Sequence, residues 1–192
     1  MINENNGQFS ISIEDGDINL VKVRPGNFEM GSKSGLPLEL PVHNVAINKS
    51  FFISSYLVTQ KLWLSLMNLN PSFNDANEDN PVENISWYDL NAMRKTQPIG
   101  LKLPNHWGLY DIVGNVWEWC DDNWVDSYEH KLVDNLENLS NSQNNNIRKV
   151  IRGGSYDLDD YRCRSAYRSF EHATFPSTKI GFRFVIEIKT PK

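Results

Sequence analysis

The chain has 192 residues, a net charge of −5, 40% apolar residues and 22% charged residues. These values fit one globular domain with a buried core, and they argue against nucleic acid as a partner, since no basic stripe or Lys/Arg cluster is present. No apolar run reaches membrane-span length, the polar start MINENNGQFSISIEDG lacks the basic-then-apolar order of a secretory signal, so the expected location is cytoplasmic, and Cys120 and Cys163 are too few for a disulfide framework.

Residues 1–19 read as a polar lead-in with a first strand at Phe9–Ile13, where Phe9, Ile11 and Ile13 alternate. Leu20–Val23 is a second strand, followed by a turn at Pro25-Gly26-Asn27. Phe28–Ser32 is a short strand opening into a loop to Pro41, and Val42–Ile47 and Phe51–Tyr56 are further strands. Thr59 is placed to cap a helix carrying Leu62, Trp63, Leu66 and Met67 on one face until Pro71 stops it. Ser86 is placed to cap a second helix through Lys95, with Asp89 at the third position and Trp87, Leu90 and Met93 as its buried stripe. Thr96–Asn105 is a connector, and Asp134–Asn146, rich in Asn and Ser, reads as an exposed loop (134–147). Lys149–Arg152 leads into Gly153-Gly154-Ser155, and Gly181–Val185 is a final strand. The pattern is α+β: a small antiparallel sheet, two helices and many long loops.

The stretch Trp107–Cys120 concentrates the chemistry. Asp111, Asn115 and Glu118 lie among tryptophans, with Gly108 and Gly114 as punctuation. Oxygens buried beside aromatic rings must be satisfied, either by a hydrogen-bond network or by a hard cation such as calcium. His43, His106, His130 and His172 are too scattered for a zinc or iron site. Arg152-Gly153-Gly154-Ser155 lacks the lysine and spacing of a phosphate loop. Arg152, Arg164, Arg168 and Arg183 are expected to pair with acids or backbone carbonyls, or to meet a ligand carboxylate.

Several separated motifs then agree. They are Phe28-Glu29-Met30-Gly31-Ser32, Pro41-Val42-His43, Val58-Thr59 with Trp63, Pro81-Val82 with Ser86-Trp87-Tyr88-Asp89, and Trp107-Gly108-Leu109-Tyr110-Asp111 with Gly114-Asn115-Val116-Trp117-Glu118-Trp119. Arg152-Gly153-Gly154-Ser155, Cys163-Arg164-Ser165-Ala166 and Gly181-Phe182-Arg183 complete them. In this order they resemble the formylglycine-generating enzyme, or sulfatase-modifying factor, family over residues 20–186, as a single domain at 20–188. The resemblance implies that family's variant of the C-type lectin fold. Its members include oxidases that convert a sulfatase cysteine to formylglycine with copper and oxygen, and domains of ergothioneine synthases whose iron is held by histidines of a separate domain. Pyoverdine-maturation proteins, kinase-associated domains and the variable ligand-binding proteins of diversity-generating retroelements belong as well.

Carried over by position, the resemblance implies a structural calcium site: side-chain oxygens from Asp111, where the family enzyme has Asn, and from Glu118, with carbonyls of Gly114 and Val116. The oxidase chemistry carries over poorly. It needs two cysteines five residues apart after Gly-Gly-Ser, because two thiolates hold Cu(I). Counted from Ser155 these positions hold Leu158 and Cys163, and counted back from Arg164–Arg168 both thiols are missing. Copper is therefore not expected. The family's long segment after the second helix, with its second calcium site, is also absent between Asn91–Gln97 and Gly100–Asn105. The expectation is a non-catalytic module binding a protein, peptide or small molecule through Tyr156, Asp157, Asp159, Tyr161, Tyr167, Phe170 and His172, residue types suited to recognition. The alternative is a formylglycine-type oxidase using Cys163 and Ser155, the latter at a substrate-groove position, or a relative of the non-haem iron enzymes.

Overall fold

The computed structural model describes residues 2–5, 8–13, 16–59, 62, 86–131 and 147–187. The alternation of Phe9, Ile11 and Ile13 becomes strand β2 (Gln8–Ile13), set antiparallel between β1 (Ile2–Asn5) and β3 (Gly16–Val23). On its other edge β3 meets β6 (Phe51–Ser54), and β6 meets β11 (Val185–Glu187), giving a five-stranded antiparallel sheet in the order β1-β2-β3-β6-β11. Between β3 and β6, strands β4 (Gly26–Met30) and β5 (His43–Ile47) form a separate antiparallel pair.

A second sheet carries the signature stretch. Its order is β10-β7-β8-β9, from β10 (Ile180–Gly181), β7 (Trp117–Asn123), β8 (Arg148–Arg152) and β9 (Ser169–His172). β10 runs parallel to β7, and the other two pairings are antiparallel, with a bulge between Trp119 and Asn123. One helical turn, α1 (Tyr128–Lys131), follows β7.

Three expectations need correction or qualification. First, Ser86–Lys95 is not a helix. Trp87 is drawn into a β-bridge with Gly114, and Met93 and Arg94 take positive φ values of 52° and 55°. The Asn91 side chain accepts the Tyr88 N–H and donates to the Ser86 carbonyl, so a polar side chain replaces helical bonds with a wound turn. Leu90 and Met93 are left 83% and 69% exposed. Second, the Thr59 hydroxyl accepts the Leu62 N–H at 3.1 Å, as a cap does, but Trp63, Leu66 and Met67 lie outside the described residues, as does the Asn/Ser-rich loop except Ile147. Third, the expected closing strand Gly181–Val185 is divided. Ile180–Gly181 joins one sheet and Val185–Glu187 the other, because Arg183 between them turns inward. Two helices are thus not borne out, and sheet and loop dominate the described residues.

The core owes much to buried polar groups. Trp87, Ala92 and Tyr156 pack together, with Leu101 against them. Beside them Asn115, at φ 63°, binds the Gln97 backbone with both ends of its side-chain amide, accepts the Tyr156 N–H at its carbonyl, and donates its own N–H to Trp87. Gly114 is required here: its φ is +79°, and a Cβ would stand 2.0 Å from the Trp87 carbonyl oxygen.

Candidate functional site

Two centres emerge from the signature stretch and from the loop after Gly-Gly-Ser. The first lies where the loop before β7 meets the crossover between β10 and β11. Arg183 donates from Nε and Nη2 to the two oxygens of Glu118 at 2.7 and 2.6 Å. Its remaining N–H groups serve the carbonyls of Ser54, Ser55 and Tyr110. This is a charge-assisted fork that ties both sheets together. Asp111, at φ 53°, is buried beside it. Its Oδ2 accepts the Gly100 N–H at 2.8 Å, while Oδ1 is buried without a partner. Burial pushes the Asp111 carboxyl above the ordinary range; the Gly100 N–H, Arg183 and Lys102 pull it back down, and Glu118 adds to the rise.

Of the donors expected to hold calcium, the carboxylates Asp111 and Glu118 stand in the loop before β7 and on β7 itself, and both offer hard oxygens. An orphaned buried carboxylate oxygen is the feature a cation would resolve. Glu118 already serves Arg183, yet each carboxylate oxygen has two lone pairs and can accept more than one partner. Asp111 and Glu118 are oxygen donors of the kind such an ion takes. Among the described residues no group of three or more His, Cys, Asp or Glu side chains converges, whereas this donor set uses only two carboxylates.

The second centre is the loop from Gly153 to Lys179. Ser155 is fully buried and its hydroxyl donates to Asp157 Oδ1 at 2.6 Å, while Asp157 Oδ2 meets Lys179. Burial works to raise the Asp157 carboxyl, but the hydrogen bonds from Lys179 and Ser155 outweigh it and hold Asp157 below its ordinary value. Asp159 caps the 3-10 turn Asp160–Cys163 by accepting the Arg162 N–H. Cys163 ends that turn buried, its sulfur 2.6 Å from where a Cβ on Gly154 would stand. Burial, and then the charges of Asp159, Asp160 and Asp89, push its thiol up to about 11. Cys120, on β7, is half-buried, and both cysteines are free thiols.

The expected ligand-binding residues separate into groups. Tyr156 is a core residue, because it fills the space beside Trp87 and Ala92, and it is not on the exposed surface. Tyr161 is 42% exposed, carries the Arg164 guanidinium over its ring at 4.1 Å, and meets Tyr167 edge-on at 6.3 Å. Tyr167 continues to Trp117 at 6.0 Å, so an aromatic ledge runs from the surface to the signature stretch. Phe170 lies on edge strand β9 between Trp124 and the Arg148 guanidinium. His172, on the same strand, has its Nδ1 buried without a partner.

The arginines mostly do as expected. Arg164 forks onto fully buried Glu39 at 2.7 and 3.2 Å. Arg152 donates to the carbonyls of Ser165, Ala166 and Tyr167 and to the Tyr128 hydroxyl. Arg168 is sandwiched between Trp124 and Tyr128 at 4.1 and 4.4 Å and donates to the Val125 carbonyl. Two residues of consequence gave no sequence signal. Glu39 lies in a loop far from its partner, and Lys102 is a single lysine in a connector.

The two sheets, the irregular loops and the crossover at Arg183 define the C-type-lectin-like fold of formylglycine-generating enzymes. The fold is shared with Treponema denticola variable protein 1, at a TM-score of 0.76 and 16% identity, covering 95% of this chain and 99% of that one. It is shared also with PvdO from Pseudomonas aeruginosa, at 0.72 and 20% identity, covering 93% and 98%.

The chain belongs to the sulfatase-modifying factor enzyme 1-like domain family, whose model matches residues 14–93 and 90–188. The two pieces overlap at 90–93, just before the Thr96–Asn105 connector. It is similar to mouse formylglycine-generating enzyme, 38% identical over 106 residues, which is 54% of this chain and 27% of that enzyme. It is also similar to the serine/threonine-protein kinase Pkn1 of Chlamydia trachomatis, 24% identical over 241 residues, 88% of this chain and 38% of the kinase. The alignments thus span less than two-fifths of these relatives' lengths. Among the described residues no helix is long and apolar enough to cross a membrane.

Proposed function

We propose that this chain is a non-catalytic binding module on a calcium-holding scaffold, taking a protein, peptide or small molecule at the Tyr161–Tyr167 ledge. The observation that carries the reading is the state of Cys163. It is the sole cysteine after Gly-Gly-Ser, it is buried against Gly154, and its thiol is held up to about 11. A Cu(I) site needs thiolates, and Leu158 occupies the other counted position. Ser155, the second residue of the oxidase alternative, already donates to Asp157.

In this reading Asp111, Glu118 and the carbonyls of Gly114 and Val116 hold the calcium ion. When bound, the ion supplies a hard positive charge that draws hard oxygen donors together and fixes the loop. The ledge supplies recognition: rigid rings give contact area at low entropic cost, and Arg164 over Tyr161 adds a donor. The test is a titration of the reduced protein with Cu(I) against a chromophoric chelator in the presence of calcium. No competition with the chelator is the expected result. Tight one-to-one copper binding that is lost in Cys163→Ser would overturn the reading in favour of the oxidase.

A further inference from the structure

Trp107 opens the signature stretch but stays outside the core. Its side chain is 52% exposed, while its backbone is firmly held. The Asn105 side-chain oxygen accepts the Trp107 and Leu109 N–H groups at 3.0 and 3.1 Å. The Asn105 backbone donates to the Leu109 carbonyl and accepts from the Gly108 N–H, each at 2.9 Å. A large ring shown to solvent on a bonded turn is organised for contact, because little ordering is left to do on binding.

Trp107 lines a cleft of about 740 Å³ together with Phe9, Tyr56, Tyr110, Lys22, Arg24 and Glu4. Tyr56 and Tyr110 stack there at 4.6 Å. The cleft reverses the sign of the chain around it. The whole chain carries −5, but the charged groups lining the cleft are two cations, Lys22 and Arg24, against the carboxylate of Glu4, all three exposed. Neither cation makes an ion pair among the described residues. The Lys22 ammonium lies instead 5.8 and 5.9 Å from the centroids of the Phe9 and Phe52 rings. The cleft also borders a strand edge. The register of β2 on β3 ends at Phe9↔Leu20, whereas β3 stays paired with β6 as far as Val23↔Phe51. Among the described residues the outer edge of Val21–Val23 therefore has no strand beside it, and such an edge is a template for another strand.

We propose that this cleft is a second recognition site, taking an extended acidic segment of a partner protein. The segment runs along the open edge of β3, rests an apolar side chain on Trp107 and turns its carboxylates to Lys22 and Arg24. An extended chain suits the place, since its main-chain groups pair with the edge while alternate side chains fall on one side. The cleft is built on the first sheet, apart from the Tyr161–Tyr167 ledge that leads to Trp117 of the second. It depends on neither the ledge nor the calcium ion.

The probes are three labelled peptides in which valine alternates with glutamate, glutamine or lysine, and binding to the full chain is read by fluorescence anisotropy at low and high salt. The glutamate peptide is expected to bind more tightly than the other two, and salt should weaken it. Lys22→Gln combined with Arg24→Gln, and separately Trp107→Ala, should each weaken it on the order of tenfold or more, whereas Tyr161→Ala should leave it unchanged. Circular dichroism checks the fold of each variant, and the Lys22→Gln, Arg24→Gln pair carries the test should Trp107→Ala unfold. Failure of the glutamate peptide to bind, equal affinity for all three peptides, or binding indifferent to the cleft variants overturns the proposal. Binding lost only in Tyr161→Ala puts the peptide on the ledge, which overturns this site and favours the ledge reading. Self-association of the parent that Trp107→Ala abolishes gives the cleft to a second copy of the chain and overturns the proposal as well.

Discussion

The side-chain amide of Asn115 pairs with the backbone of Gln97 in both directions, accepting its N–H and donating to its carbonyl, each at 3.0 Å. One side chain thereby does what a strand would do for a connector that has no strand of its own. Both groups are buried, and an unsatisfied buried donor or acceptor costs roughly 1–3 kcal/mol. Asn115→Leu is expected to lower the stability by about 2–5 kcal/mol in urea unfolding. Asn115→Asp keeps the acceptor and loses the donor, so it should leave the Gln97 carbonyl unpaired and add an uncompensated charge.

The Glu39–Arg164 pair should respond unequally to removal of its two members. The Glu39 side chain is wholly buried, whereas Arg164 retains 29% of its exposure. Arg164→Ala strands a buried carboxylate and should cost about 3–5 kcal/mol. Glu39→Gln leaves a guanidinium that can turn toward water, and should cost roughly 1–3 kcal/mol. Chemical denaturation of both single variants and the double variant measures the difference and the coupling.

The Asp157–Lys179 bridge sets a pH window. Despite opposing burial, bonds from Lys179 and Ser155 hold the Asp157 carboxyl below 3.8, so its stabilisation is present above that value and is lost as pH falls through the lower folded value. The hydrogen bond to Asp157 raises Lys179 above 10.5, so its share is present below that value and lost as pH rises through the folded one. Asp157→Asn should lower stability at neutral pH and flatten the acid limb of a stability profile taken between about pH 2 and pH 6.

The two thiols should differ in reactivity. Cys163 is buried and held up to about 11, whereas Cys120 is half-buried. An aromatic disulfide reagent at neutral pH should titrate Cys120 in the native protein and reach Cys163 only after unfolding, because the thiolate is the reactive form. Rapid native-state modification that persists in Cys120→Ser would contradict this.

The strands of the first sheet were legible because Phe9, Ile11 and Ile13 alternate with polar neighbours, and because Phe51–Tyr56 opens on a run of apolar residues. The signature stretch was legible because oxygens among tryptophans demand partners: Asn115 meets that demand in a hydrogen-bond network, while Asp111 keeps one oxygen unpaired. The second helix misled because Trp87, Leu90 and Met93 keep helical spacing. Only the tertiary bridge from Trp87 to Gly114, and the local bonds of Asn91, decide against it. Tyr156 was read as surface because nothing local separates an exposed tyrosine from one that completes a core. Glu39 and Lys102 were invisible for a similar reason: each acts through elements that only the folded chain brings together.

The pairing of β6 with β11 bears on how the protein is made. Phe184 and Ser54, 130 residues apart, are joined by hydrogen bonds at the edge where the first sheet is completed. During synthesis β6 therefore waits with one edge unpaired until β11 has left the ribosome. Such distant closure slows folding, and an open edge is a template for pairing with other chains. β11 thus sets the moment of assembly as well as the shape of this sheet, and removing Val185–Glu187 should be felt first as aggregation during expression.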